Sequence, residues 1–72
     1  MSTYYWDFFG PHAERTADHF KRHLEGFLRE NGCDACSTGV ESQGDGHFAA
    51  YCKAPLQHET LIERTLKPRR KL

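Results

Sequence analysis

From Thr3 to Phe9 the chain reads Thr-Tyr-Tyr-Trp-Asp-Phe-Phe, a run of strand formers closed by Gly10-Pro11. Alternation places Tyr4, Trp6 and Phe8 on one face of this strand and Tyr5, Asp7 and Phe9 on the other. The opposite assignment, with Tyr5 and Phe9 inward, would bury Asp7 and expose Trp6. The period then lengthens. Ala13, Ala17, Phe20, Leu24, Phe27 and Leu28 recur at three and four residues, which predicts a helix from roughly Pro11 to Asn31. Pro11 suits the first helical position, where its missing N–H costs nothing, and Asn31-Gly32 is a helix stop.

Cys33-Asp34-Ala35-Cys36 follows as a short polar connection. Ser37 to Gln43 reads as a weak strand with Val40 as its one strongly apolar residue, and Gly44-Asp45-Gly46 signals a hairpin. His47 to Lys53 is a better strand, with Phe48, Ala50 and Cys52 on one face and His47, Ala49, Tyr51 and Lys53 on the other. Ala54-Pro55 opens a second helix whose predicted buried face carries His58, Leu61, Ile62, Thr65 and Leu66, and Pro68 stops it. Residues 67–72 form a basic tail with at most a stub of a final strand. The order β-α-β-β-α predicts a single domain over 1–72. Its expected fold is a ferredoxin-like α+β sandwich, two helices on one face of an antiparallel sheet with the last strand missing or vestigial.

Size and charge narrow the function classes. With 72 residues, and ten Lys or Arg balancing ten Asp or Glu, the chain does not carry the net positive charge of a globally basic nucleic-acid binder. A core of this size only about balances chain entropy, so association or a metal would help it. No apolar run approaches membrane-spanning length, and no basic-then-apolar segment opens the sequence, from which a cytoplasmic protein with no membrane partner is expected.

The cysteines supply the sharpest chemical candidate. A redox pair needs its first cysteine at a helix N-terminus; here Cys33 and Cys36 follow a helix C-terminus. A regular hairpin turning at Gly44-Asp45 or Asp45-Gly46 sets Cys52 across from Ser37 or Gly39, at the same sheet end as Cys36. His58 sits just beyond, in the first turn of the second helix. Cys33, Cys36, Cys52 and His58 thus make a candidate Cys₃His set for zinc, a common structural combination. His47 lies about 16 Å along the strand from Cys52, on the other face, and cannot join it. The plainer alternative makes Cys52 a small core residue and His58 a hydrogen-bonded one. His12, His19 and His23 share one shoulder of the first helix without a third ligand at metal spacing and without a His-Glu-x-x-His signature, and are read as partly solvated residues at the helix–sheet margin. There is no Gly-x-Ser-x-Gly elbow and no paired carboxylate set, so a non-enzymatic protein is expected.

The face left open by the helices is the second candidate. Tyr5, Phe9, Tyr51 and His47 stand there with Asp7, Glu41 and Lys53, an aromatic density unusual for a face meant only for water. Protein association, a homodimer or another protein partner, is the expected use. Stacking of single-stranded RNA is the alternative. Asp45-Gly46-His47-Phe48 is acidic where an RNA-recognition-motif strand has a basic residue, and Asp7 and Glu41 oppose phosphate, so nucleic acid is the less favoured partner.

Overall fold

The computed structural model describes residues 1–33 and 35–72. Its elements run β1 (Ser2–Phe9), α1 (Ala13–Glu30), β2 (Ser37–Gly44), β3 (His47–Ala54), a 3₁₀ turn (Leu56–His58), α2 (Glu59–Leu66) and β4 (Arg70–Lys71). Asp34, read above as part of the polar connection, lies outside the described residues. The four strands form one antiparallel sheet in the order β2-β3-β1-β4. α1 therefore joins two strands that have β3 between them, as the α+β sandwich expected from the pattern requires. The final strand is the predicted stub, two residues paired with Tyr4 and Tyr5.

α1 starts two residues later than its sequence period suggests. Gly10 takes φ +104°, Pro11 and His12 complete a turn, and Ala13 N–H reaches back to Gly10 O at 3.1 Å. The helix ends as expected: Asn31 caps it through its backbone and through Nδ2 to Phe27 O at 2.8 Å. Gly32, at φ +69°, then turns the chain so that Cys33 N–H donates to Leu28 O. The stripe Ala13, Ala17, Leu24 and Leu28 is buried, with Phe20 and Phe27 packed against the same core.

The β2–β3 hairpin differs from both regular registers. Gly44 faces His47 but Ser42 faces Phe48, so Gln43 is bulged out. One extra residue reverses the side-chain parity of everything beyond it. Cys52 consequently faces Thr38 rather than Ser37 or Gly39, while Glu41 pairs with Ala49 on the open face, where it was expected.

α2 also enters differently. A 3₁₀ turn precedes it, and His58 is its N-cap rather than part of its first turn. Ile62 is buried and Leu61 and Leu66 pack on the core, but Thr65 is exposed. The reason lies in the polar contacts of the helix: Glu59 accepts from Ser2 Oγ at 2.7 Å and Glu63 from Tyr4 Oη at 2.6 Å. These contacts rotate the sheet-facing arc toward the glutamates and turn Thr65 out. Among the described residues, no helix is long and apolar enough to cross a membrane.

The folded chain exposes 4717 Å², close to the ~4,600 Å² expected for a monomer of this mass.

Candidate interaction face

Alternation along β1 sorts its aromatic residues onto two surfaces. Trp6 and Phe8 meet Phe20 of α1, with ring centroids 5.1 and 5.7 Å apart, while Tyr4 reaches Glu63 of α2. Both helices therefore lie on the Tyr4–Trp6–Phe8 side. Tyr5, Asp7 and Phe9 project to the opposite side and oppose Tyr51, Ala49 and His47 of β3. The four aromatic residues predicted for the open face all stand on it: Phe9 is 72% exposed, and Tyr5, Tyr51 and His47 are half-buried.

Asp7 organises this face. It sits on a central strand with its side chain only 11% exposed, so an unpartnered carboxylate there would be costly. Arg70 of β4 supplies a two-pronged partner, Nε to Oδ2 at 2.9 Å and Nη2 to Oδ1 at 2.6 Å. His47 Nε2–H donates to Oδ1 at 2.8 Å. The Arg70 hydrogen bonds, followed by the His47 hydrogen bond, hold the Asp7 carboxyl below its ordinary range against the opposing effect of burial. An ionised carboxylate only accepts, which places the proton on His47 Nε2. The result is a fork in which one carboxylate ties β1, β3 and β4 together.

The rings lie around that fork. Phe9 stacks on His47 with centroids 4.3 Å apart, Tyr5 and Tyr51 pair at 6.4 Å, and Arg70 lies over Tyr5 at 4.5 Å from the ring centre. Tyr51 leans across β2 onto Gly39, its cross-strand partner; a Cβ at position 39 would overlap the tyrosine ring and hydroxyl. Glycine at 39 is what lets this ring lie flat on the sheet. Two clefts, of about 310 and 240 Å³, open elsewhere. One is lined by Tyr4, Glu63 and residues 67–71, the other by Glu25, Leu28, Arg29, Cys33, Cys36 and Thr38, and neither takes in Tyr5, Phe9, Tyr51 or His47.

The candidate zinc ligands divide. Cys33 and Cys52 belong to the buried core with Cys36 packed against them, and all three are free thiols. Burial first, and the charge of the neighbouring Cys36 second, push the Cys52 thiol up to about 12; burial and the charge of Cys33 raise Cys36 in the same way. His58 is half-buried, its Nε2 accepting from Gln57 Nε2 at 3.3 Å. Among the described residues no group of three or more His, Cys, Asp or Glu is arranged to hold a metal ion. His12, His19 and His23, expected at the helix–sheet margin, are all exposed.

Two residues of the face have roles that the hydrophobic pattern does not announce: Arg70 lies in the basic tail and Gly39 in a weak strand. The signal for Arg70 was present, because an aspartate amid aromatics on a strand calls for a cation and residues 67–71 are the densest source. Gly39 carried no such signal, since its role depends on the bulged register. No family model, curated protein or solved structure matches the chain.

Proposed function

We propose that this chain is a small non-enzymatic interaction module that pairs with a second copy of itself through the open sheet face. The observation that carries this reading is the Phe9–His47 stack running into the Tyr5–Tyr51 pair, four rings on one flat surface with Phe9 largely exposed. Aromatic residues are what interface cores concentrate. Lys53 and Glu41 stand on the same face, so it carries both of the charge signs that a self-complementary two-fold surface uses. Three eight-residue strands with about 3.4 Å rise and ~4.8 Å spacing offer roughly 400 Å² of flat surface. Two copies pairing through it would cover about 800 Å² in total, below standard specific interfaces, so the dimer is a weak, rapidly reversible one.

Sedimentation at tens of micromolar tests this. The parent chain should populate a dimer, and Tyr51→Glu should shift it to monomer with the helical circular dichroism intact. A single 8 kDa species for the parent across that range removes the self-association reading. Single-stranded RNA is favoured by one specific feature: Arg70 neutralises the Asp7 charge that would oppose phosphate. Saturable binding of oligo-uridine by the parent chain, lost in Tyr51→Glu, would give the face to RNA instead.

A further inference from the structure

Away from the sheet, α1 presents two imidazoles on one exposed flank. His19 and His23 are four residues apart and therefore neighbours on the helix surface. Their rings meet edge to face with centroids 4.5 Å apart, and the two Nε2 atoms are 3.0 Å apart. Two imidazole lone pairs do not approach so closely without something between them. In the metal-free chain it is a proton, one ring donating to the other. We propose that His19 and His23 form a bidentate site for a divalent late first-row transition ion of the nickel or copper class.

The spacing already present in the metal-free chain suits one geometry without rearrangement. An ion about 2.1 Å from each nitrogen sees them at a right angle when they are about 3.0 Å apart, whereas a tetrahedral angle needs about 3.4 Å. Right-angle pairs belong to square-planar and octahedral ions, the preference of copper and nickel rather than of structural zinc. The absence, among the described residues, of any metal-holding group of three or more side chains leaves the other coordination positions to water. Charge reinforces the selectivity. Arg15 and Arg22 lie four and three residues from His19, and the nearby Asp18 is already engaged by Arg22 at 3.2 Å. A hard ion held only by charge gains nothing from such a flank, so retention has to come from imidazole coordination. This site is separate from the sheet face and does not depend on its use.

The test is nuclear magnetic resonance of ¹⁵N-labelled protein with substoichiometric NiCl₂, backed by calorimetric titration. Paramagnetic broadening should centre on His19 and His23 and saturate at one equivalent, while MgCl₂ leaves the spectrum unchanged. His23→Gln should weaken nickel binding at least about tenfold, and His12→Gln, on the same helix shoulder, should leave it as it is. Both residues are exposed, so both variants should keep the parent fold by circular dichroism. Broadening centred on Cys33, Cys36 and Cys52, or equal nickel affinity in parent and His23→Gln, would overturn the assignment.

Discussion

β1 builds two aromatic surfaces from alternate residues, and they are held by different physics. On the helix side, burial dominates. Tyr4 and Trp6 are almost wholly buried, and each polar tip finds one partner on or just beyond a helical turn: Tyr4 Oη donates to Glu63, and Trp6 Nε1–H donates to Leu66 O at 2.9 Å. Burial and the Glu63 hydrogen bond push the Tyr4 hydroxyl up to about 12. On the open side, Tyr5 and Phe9 keep much of their surface in water, and the ordering agent is a charge. Asp7 gathers Arg70 and His47, and those two in turn pack on Tyr5 and Phe9. The lesson is that a sheet face needs no covering layer to be ordered, provided one well-shielded ion ties its strands together.

The largest effect should come from the covered side. Leu24 is 1% exposed at the centre of the α1 stripe, and Leu24→Ala should cost about 2–5 kcal/mol in chemical denaturation. A loss under ~0.5 kcal/mol, as at a surface site, would dissolve the distinction between the faces. Next comes the ion. Asp7→Asn leaves Arg70 and His47 without their carboxylate and should cost about 1–3 kcal/mol. It should also change the acid response. Because the folded Asp7 carboxyl titrates below its unfolded value, near 3.9, its contribution is complete above that value and disappears as pH falls through the lower folded pKa. The parent chain should therefore lose stability on acidification relative to Asp7→Asn, the gap closing below about pH 4. A constant gap down to pH 2 would mean the fork contributes through packing alone.

Smaller effects sharpen the comparison. Gly39→Ala should displace Tyr51 from its place over β2 and weaken self-association while changing stability by less than about 1 kcal/mol, since a surface ring can rotate away. Unchanged association would show that Tyr51 is not part of the interface. On the covered side, the thiols should alkylate in order of access and ionisation. Half-buried Cys36 should react first, and Cys52, raised to about 12, should stay unmodified in the folded chain at neutral pH. Mass spectrometry after brief iodoacetamide treatment reads the order directly, and early labelling of Cys52 would show that its strand opens easily.

The sequence alone determined whatever follows from period and punctuation. Alternation from Tyr4 to Phe9 sorted the aromatics onto their correct faces, because a strand's side-chain period is two whatever surrounds it. The three-and-four spacing from Ala13 to Leu28 fixed the helix and its buried stripe, and Asn31-Gly32 fixed its end, since those preferences are local. Tertiary structure decided the rest. A bulge at Gln43 set Thr38 opposite Cys52, because a one-residue insertion reverses parity without leaving a mark in composition. Arg70 became the partner of Asp7, 63 residues away in the chain, only when β4 docked on β1. Contacts between elements depend on register and on how each helix is rotated over the sheet, and both are settled by packing the whole chain at once.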